Sequence, residues 1–361
     1  MDRAELTRAL DQIDVGTYLD REGCDYVESY GTRGLQLNLS ECPACKEGGR
    51  KTYINAETGL GNCFHGSCGF KFNKFKLIKE VSGLAGRDLD AHISATAEEQ
   101  GWMPKKERAE IKRGKLELPS KLRPIPEAGR HLRYLSERGI TADSALYFQL
   151  SYCHKGWWAY EVEGSDKRFV SYDQRVIIPI ADLGGTLVSF QGRDTTGAKL
   201  PKYLFPTGFA VAGSHVYNGQ NFADGVHSHA VVGEGAFDAI AIHQALQGHS
   251  SCISMLAVAT FGMHLSGGPD GQTAKFLLLR ERGLKTITMM WDSEPKAMSG
   301  AIKMGLSLAA LGFLVRIAQL PDGKDPNEAT PEQVRQAIFK ATPLTRLSAI
   351  RLLHAAGAIG K

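Results

Sequence analysis

The feature that most constrains the fold is a regular alternation of strand-like and helix-like segments that begins near Ala230. The apolar runs AVVG, ISMLAVAT, KTITMMW and FLVRIAQL have the character of buried strands, and helical patterns lie between them: AFDAIAIHQAL, a segment near 272–281 and AIKMGLSLAAL. Because two parallel strands need a long crossover connection, this alternation predicts a parallel sheet with helices on its faces.

Acidic residues follow the ends of these predicted strands. Glu234 comes directly after the first strand, with Asp238 one helical turn later, while Asp292 and Glu294 follow the third and Asp325 follows the last. The carboxyl ends of parallel strands meet in one crevice, where several carboxylates repel one another unless a divalent cation such as Mg²⁺ neutralises them. These five residues are the predicted catalytic set, although a solvated loop position or a helix cap is the alternative for any single one.

Four of the seven cysteines lie within 27 residues. Cys42 and Cys45 form a C-P-x-C knuckle, seventeen residues separate Cys45 from Cys63, and four more precede Cys68. Two such pairs can place four thiolates around Zn²⁺ at about 2.3 Å, and an odd number of cysteines argues against a disulfide framework. We therefore predict one structural zinc ion in a reducing compartment, with His65 as an alternative to Cys63 for the fourth ligand.

Composition and charge limit the possible functions. The chain has 361 residues, of which 43% are hydrophobic, and no apolar run is long enough to predict a transmembrane helix. The net charge is only +4, but between Trp102 and Arg133 ten Lys or Arg residues stand against four Glu. This basic block indicates a nucleic-acid partner, with a solvated linker as the alternative of equal weight.

These motifs, in this order, resemble those of bacterial and phage DNA primases of the DnaG type along nearly the whole chain. The cysteine knuckle resembles the zinc-binding domain of that family, and YLSERGITADSALYFQL resembles the opening of its RNA polymerase domain. QRVIIPIADLGGTLVSFQGRD followed by PKYLFPTG resembles its basic subdomain, and GEGAFDAIA, WDSE and GKDPNE resemble the three acidic motifs of the Toprim fold.

The resemblance implies a multidomain fold of the α+β and α/β classes. It comprises a small zinc-ribbon domain, a mixed α+β basic subdomain and a Toprim subdomain built on a parallel sheet. The expected boundaries are 1–83 for the zinc-binding domain, 84–118 for a charged linker, 119–228 for the basic subdomain, 229–328 for the Toprim subdomain and 329–361 for a helical tail.

Residue roles also follow from the resemblance. Glu234 matches the Toprim glutamate of acid–base or metal chemistry, Asp238 the second acid of that motif, Asp292 the first acid of a D-x-D pair and Asp325 the acid of a K-D-P motif. The implied contacts to nucleic acid or nucleotide are Arg175, Arg193, Lys202, Tyr203 and Lys324. Glu294 departs from the family, which has Asp there, and the C-terminal helicase or helicase-binding region of the family has no counterpart in this sequence.

The implied activity is the synthesis of short RNA primers from NTPs on a single-stranded DNA template, of a phage type. The implied cofactors are one structural Zn²⁺ and a catalytic Mg²⁺ or Mn²⁺ at Glu234, Asp292 and Glu294. The implied partners are a replicative helicase and a DNA polymerase in the cytoplasm of a bacterium or a phage-infected host, with no membrane. Two alternatives are another Toprim enzyme such as a nuclease, and a non-catalytic factor that binds or loads on single-stranded DNA.

Overall fold

A computed structural model describes residues 3–101, 111–112, 116–162, 167–199, 201–209, 211–262, 265, 271–292, 294–321 and 323–357. The chain divides into two compact units. Unit 1 contains Met1–Gly114, Tyr160–Arg168 and Thr207–Phe209, and unit 2 contains Lys115–Ala159, Phe169–Pro206 and Ala210–Lys361. None of the described helices combines the length and the apolar composition that crossing a membrane requires.

Unit 1 is built on an antiparallel ribbon. Its helices are α1 (Arg3–Gln12), α2 (Val15–Arg21), α3 (Lys74–Ser82) and α4 (Gly86–Gly101), and its strands are β1 (Tyr26–Gly31), β2 (Gly34–Glu41), β3 (Gly48–Asn55), β4 (Gly61–Cys63), β5 (Lys71–Phe72) and β6 (Ile111–Lys112). Strands β1 to β5 pair in sequence order. In β2, Leu37 and Leu39 alternate with polar residues and are buried together with Leu19 and Leu77 of the helices, so the ribbon has one core face and one solvated face.

The predicted linker at 84–118 is wrong for its first part, because residues Gly86–Gly101 form helix α4. Leu89, Ile93 and Ala97 lie on one face of this helix at i, i+4 and i+8 and are buried in a small core with helix α1. The stripe contains few large side chains, which is why composition alone predicted a linker. Part of the basic block, at 102–110 and 113–115, falls outside the described residues.

The next part of the chain forms an antiparallel sheet. The elements in chain order are β7 (Leu122–Pro124), α5 (Arg133–Glu137), α6 (Ala142–Tyr147), β8 (Ser151–Cys153), β9 (Trp157–Val162), β10 (Arg168–Ser171), β11 (Arg175–Ala181), β12 (Leu187–Asp194) and β13 (Tyr203–Leu204). The sheet has the order β13-β12-β11-β8-β7, and β9 and β10 belong to a separate sheet of the order β10-β9-β6. Strands β11 and β12 form a long hairpin that carries Arg175 and Arg193.

The predicted alternation of strands and helices is confirmed in the last part of the chain. The elements are β14 (His229–Gly233), α7 (Ala236–Leu246), β15 (Met255–Ala259), α8 (Gln272–Glu281), β16 (Thr286–Met289), α9 (Pro295–Ala310), β17 (Leu314–Ile317), α10 (Pro331–Phe339), β18 (Thr342–Pro343) and α11 (Arg346–Ala355). The sheet order is β15-β14-β16-β17-β18, and its first four strands run parallel.

Both faces of this parallel sheet are covered. Val232 and Met289 belong to the core on one face, and Val231 and Met290 belong to the core on the other. The predicted helical tail is part of the same layer system, because β18 pairs with β17 and α11 packs against α9. The fold class is therefore the predicted one: a cysteine-bearing ribbon, a mixed α+β part and a parallel-sheet α/β part.

Candidate functional site

The acidic site begins where β14 ends and α7 starts. A Cβ atom at Gly233 would lie 2.7 Å from the Cβ of Asp238, which is too close for any other residue to follow this backbone. The Gly235 N–H donates to Oδ2 of Asp238 at 2.8 Å and so caps the first turn of α7. The carbonyl of Glu234 accepts a hydrogen bond from the N–H of Phe261 at 2.8 Å. This local geometry holds both acids at the carboxyl end of the parallel sheet.

Asp238 experiences the negative charge of three other acids. Burial, and after it the charges of Asp325, Asp292 and Glu234, together raise the pKa of its carboxyl group to about 8, although the hydrogen bond from Gly235 opposes the shift. These acids follow different strands of the sheet, so the fold brings together residues that are up to 91 positions apart in the sequence. A shared effect of these acids on Asp238 is what the predicted convergence of the strand-end carboxylates requires, and the convergence supports a proposal for the site.

Asp292 lies in the same negative field. Burial raises the pKa of the Asp292 carboxyl group, and the charges of Asp325, Glu294 and Glu328 raise it as well. Glu328 was not predicted from the sequence, although it lies in the same GKDPNE motif. Its backbone N–H donates to Oδ1 of Asp325 at 2.8 Å, so the turn after β17 carries two of these acids.

The donor set of this site suits a hard divalent cation. Among the residues that the structure describes, no three of the acids bring carboxylate oxygens within 4.8 Å of one another. Mg²⁺ does not need such a cage, because it usually binds one or two carboxylates together with waters and substrate phosphates. Oδ1 of Asn327, two residues after Asp325, is buried and accepts no hydrogen bond from the described residues, which adds an oxygen of the type that Mg²⁺ prefers.

The raised pKa of Asp238 predicts how stability depends on pH in the metal-free protein. A carboxyl group whose pKa rises on folding, here from 3.8 to about 8, stabilises the fold at low pH and loses that contribution as the pH rises through this window. Asp238→Asn keeps an acceptor for the Gly235 N–H and removes the charge. We expect the melting temperature of the wild type to fall between pH 5 and pH 8, and that of the variant to fall less.

Thermal unfolding in the presence of a chelator measures this difference. Asp182→Asn is the matched control, because Asp182 follows β11 of the antiparallel sheet and caps an exposed turn through Gly184 and Thr186. Equal pH slopes in the wild type and in Asp238→Asn would show that Asp238 does not hold its proton in the folded state.

The cationic side chains come from the antiparallel sheet of the same unit. Arg193 on β12 is 4% exposed, and its Nε donates to the Tyr134 hydroxyl at 2.8 Å. Its guanidinium lies over the rings of Tyr203 and Phe237, at 4.6 and 5.7 Å from their centroids. Because Phe237 is in the first turn of α7, these contacts fix Arg193 beside the start of the helix that follows Glu234.

Lys202 experiences charges of both signs. The positive charge of Arg193 lowers the pKa of Lys202 most, followed by burial and the charge of Arg138, whereas Asp325 and Glu328 raise it. Groups of both signs therefore act on one ammonium. Such an arrangement can bind a ligand that carries both phosphate oxygens and a divalent cation.

Arg138 is a site residue that the sequence analysis missed. Its guanidinium lies 5.1 Å from the ring centroid of Tyr134 and 5.8 Å from that of Phe237. Arg138 and Arg193 thus share the ring of Phe237. The available sequence signal was weak: a single arginine directly before Gly139 in a helical pattern.

Arg175 differs from the prediction of a direct nucleic-acid contact. It is 3% exposed, and its guanidinium donates to the carbonyl oxygens of Gly192 at 2.9 Å, Pro201 at 3.0 Å and Lys202 at 3.3 Å. Burial lowers its pKa from the ordinary value of an arginine. In this structure Arg175 therefore holds the backbone that presents Lys202.

Lys324 and Tyr203 each contact another side chain of unit 2. Nζ of Lys324 donates to Oε1 of Gln333 at 3.2 Å, so its ammonium has a protein partner. Tyr203 stacks on Arg193, and burial raises the pKa of its hydroxyl. Contacts from either residue to nucleotide or nucleic acid remain predictions.

A second candidate site lies in unit 1. The sulfur atoms of Cys42, Cys45, Cys63 and Cys68 all lie within 4.8 Å of one another, and Sγ of Cys45 is 3.9 Å from Sγ of Cys63. The turn after β2 carries the first pair, and the second pair lies at the end of β4 and in the turn that follows it. Four sulfur atoms at this spacing can hold one metal ion.

His65 lies next to the sulfur cluster. Its Nδ1 is 3.1 Å from Sγ of Cys63 and 3.7 Å from Sγ of Cys45, and its Nε2 is 2.7 Å from the carbonyl oxygen of Gly48. His65 also forms a three-residue group with Cys45 and Glu47 whose ligand atoms lie within 4.8 Å of one another. The four-sulfur set is the larger of the two groups, and the contact with Gly48 orients the imidazole beside it.

The comparisons with known proteins agree with this description. Residues 231–330 match a family model described as Toprim-like. The chain is similar to the DNA primase of Deinococcus radiodurans, 26% identical over 318 residues, covering 80% of this chain and 52% of the relative. It is also similar to the DNA primases of Halalkalibacterium halodurans, 24% identical with coverages of 90% and 56%, and Synechococcus elongatus, 32% identical with coverages of 56% and 32%. The predicted resemblance to DNA primases is confirmed, and the chain spans about half the length of the curated relatives it matches.

Solved structures of primases are also similar to this chain. The zinc-binding and RNA polymerase domains of the Aquifex aeolicus primase match with a TM-score of 0.46 at 16% identity, covering 99% of this chain and 93% of that one. A DNA primase domain from Pseudomonas aeruginosa matches with a TM-score of 0.49 at 25% identity, with coverages of 64% and 77%. A DnaG primase catalytic domain bound to single-stranded DNA matches with a TM-score of 0.48 at 22% identity, with coverages of 62% and 75%.

Proposed function

We propose that this chain synthesises short RNA primers on single-stranded DNA, as a DNA primase of the DnaG type. The observation that carries the proposal is that Arg193 stacks on Phe237, three residues after Glu234 and directly before Asp238. This contact places a cation suited to triphosphate next to the helix start that bears carboxylates suited to Mg²⁺. The similarity to DNA primases supports this choice over other enzymes that use a Toprim-like domain.

The proposed reaction is the displacement of pyrophosphate from an incoming NTP by the hydroxyl group at the primer end. Glu234, Asp292 and Glu294 would hold Mg²⁺ or Mn²⁺, which neutralises phosphate charge when bound. Lys202 binds phosphate as a point charge, and Arg193 binds it through a planar guanidinium that Tyr134 orients. Glu294 extends one methylene further than the aspartate it replaces.

Exposed aromatic side chains on the hairpin of β9 and β10 support a template surface. Trp157 is 44% exposed and Phe169 is 62% exposed, and Nζ of Lys121 lies 5.0 Å from the ring centroid of Trp157. The next residue, Trp158, is 6% exposed and contacts Phe190 edge-on, so the other face of the hairpin is anchored in the core. Bases of single-stranded DNA stack on aromatic rings that have a cation beside them.

Trp157→Ala is expected to weaken binding of single-stranded DNA. Loss of one base-stacking ring costs about 1–3 kcal/mol, which corresponds to a factor of about 5 to 150 in the dissociation constant. Fluorescence anisotropy of a labelled oligothymidine measures the change. Phe339→Ala is the matched control, because Phe339 is 46% exposed and lies on α10 of the parallel-sheet part. Unchanged affinity in Trp157→Ala would remove this face from the template path.

The cysteine cluster is proposed to hold one structural Zn²⁺ that orders the ribbon. On its solvated face, Tyr53 and Phe64 are exposed and contact each other edge-on with centroids 5.8 Å apart. Lys51 lies on β3, the strand that carries Tyr53, and Lys71 lies on β5. Both side chains are exposed. Unpaired bases can stack on the aromatic rings while the cations bind the backbone phosphates of the template. We therefore propose that this face selects the start sequence.

A primer-synthesis assay tests the proposed function. Labelled NTPs and Mg²⁺ are incubated with the full chain and a random pool of single-stranded DNA templates, and the products are sequenced. We expect short RNA products with a shared start sequence. Shortened templates would indicate a nuclease, and template binding without product would indicate a binding or loading factor. Because primers serve replication, a replicative helicase and a DNA polymerase are the proposed partners.

A further inference from the structure

The side-chain amide of Gln244 binds the turn between α5 and α6. Its Oε1 accepts a hydrogen bond from the backbone N–H of Thr141 at 2.8 Å, and its Nε2 donates to the carbonyl oxygen of Gly139 at 2.9 Å. The Thr141 hydroxyl also approaches Oε1, at 3.4 Å. The amide therefore uses one donor and one acceptor on residues that lie 103 and 105 positions away in the sequence.

This turn carries Arg138. Gly139 follows directly and has a φ of +69°, a conformation that glycine adopts without strain. The guanidinium of Arg138 lies over the ring of Phe237, which is on the same helix as Gln244. Helix α7 thus holds the turn at two points, seven residues or about 10 Å apart along the helix axis.

The two contacts fix Arg138 relative to the acidic site. The N-terminal end of α7 follows Glu234 and contains Asp238, and Arg138 lies over the same Phe237 ring as Arg193. Replacing Gln244 therefore removes one of the two contacts between α7 and the turn that carries Arg138, and it alters none of the acids. Gln244 is only half-buried and belongs to no hydrophobic core, so its replacement leaves the packing of α7 intact.

We propose that Gln244 is a positioning residue for nucleotide binding: its amide holds the turn 138–141 against α7 so that Arg138 contacts the triphosphate of the NTP. This inference rests on the proposed function for the identity of the ligand. Gln244 itself touches no reacting atom and acts through the backbone of Gly139 and Thr141 on Arg138.

Substitutions in the full chain test this assignment. Gln244→Leu removes both hydrogen bonds, and Gln247→Leu makes the same chemical change one turn later, where the amide contacts His243 and, among the described residues, makes no hydrogen bond to the turn. We expect Gln244→Leu to raise the dissociation constant of Mg–ATP and the KM for NTP by about 10- to 100-fold, with kcat within about twofold. Gln247→Leu should match the wild type in all three.

The double variant separates positioning from general damage. In an Arg138→Ala background, Gln244→Leu is expected to cause no further loss of Mg–ATP affinity, because the group that it positions is absent. Hydrogen exchange at the Thr141 amide should accelerate in Gln244→Leu with and without Arg138. The inference would be overturned if Gln244→Leu lowered Mg–ATP affinity equally in the wild type and in Arg138→Ala. It would also be overturned if Gln244→Leu left the Mg–ATP affinity of the wild type unchanged.

Mg–ATP binding and primer synthesis, measured separately, distinguish failure of this inference from failure of the proposed function. If the wild type binds Mg–ATP with the expected dependence on Gln244 but makes no primers, the positioning role stands and the primase proposal fails. If the wild type makes primers and Gln244→Leu binds Mg–ATP as the wild type does, the primase proposal stands and the positioning role fails. A wild type that binds no Mg–ATP overturns both.

Discussion

Glu234→Gln is expected to lower the rate of primer synthesis by several orders of magnitude. The substitution keeps the size of the side chain and removes a charge that acid–base or metal chemistry requires, which corresponds to a loss of at least about 3–4 kcal/mol in transition-state stabilisation. Folding should survive, because Glu234 contributes to the repulsion that raises the pKa of Asp238. Single-turnover kinetics with a saturating template measures the rate, and thermal unfolding measures the fold.

A matched control distinguishes the active site from general charge effects. Glu332→Gln removes a carboxylate of the same unit that is exposed on α10 and paired with Arg335 at 2.8 Å, far along the chain from Glu234. We expect primer synthesis by this control to equal that of the wild type. If Glu234→Gln made primers at the wild-type rate, the assignment of the active site would be wrong. The result would favour the alternative of a non-catalytic factor that binds single-stranded DNA.

Cys42→Ser is expected to release the metal ion and unfold the ribbon of unit 1. Cys42 is buried in the core of that unit, and its N–H donates to the carbonyl oxygen of Glu47 at 2.9 Å. Structural Zn²⁺ supplies roughly 10–16 kcal/mol to small folds, more than a ribbon with a small core can replace. Unit 2 has its own cores around both sheets and should remain folded.

Metal analysis and circular dichroism check this prediction. Cys24→Ser is the control, because Cys24 lies in the same unit but outside the four-sulfur group. We expect one Zn²⁺ per chain in the wild type and in the control, and less than half an equivalent in Cys42→Ser. Release of the metal by His65→Ala, with retention by Cys63→Ala, would show that the imidazole replaces that sulfur as a ligand.

Regular local patterns were sufficient to predict much of the fold. The alternation of apolar strands with helices predicted the parallel sheet of β14 to β17, because hydrophobic periodicity reports directly on which face of an element is buried. The spacing of Cys42, Cys45, Cys63 and Cys68 predicted a common cluster, because short loops limit how far apart these thiols can lie. Helix α4 was missed, because a stripe of one leucine, one isoleucine and small residues has little apolar content.

The sequence also predicted that the strand-end acids form one group. The carboxyl ends of parallel strands share one edge of a sheet, so the order of strands and acids along the chain is enough to group Glu234, Asp292 and Asp325. Glu328 and Asn327 could not be selected in this way. They lie in a turn, where no periodicity of the sequence indicates which polar groups are buried or act on another acid.

The sequence by itself determined the classes of element, the cysteine cluster and the edge of the sheet at which the acids meet, because these depend on periodicity and spacing over a few residues. Only the tertiary structure decided which cations lie beside the start of the helix that follows Glu234. Arg175 and Arg193 lie on neighbouring strands of one hairpin, yet Arg175 binds backbone carbonyls while Arg193 stacks beside Phe237. Arg138 reaches the same ring from a distant turn that Gln244 holds. The direction of a long cationic side chain depends on the aromatic rings and carbonyl groups that packing places around it, and that information is not local in the sequence.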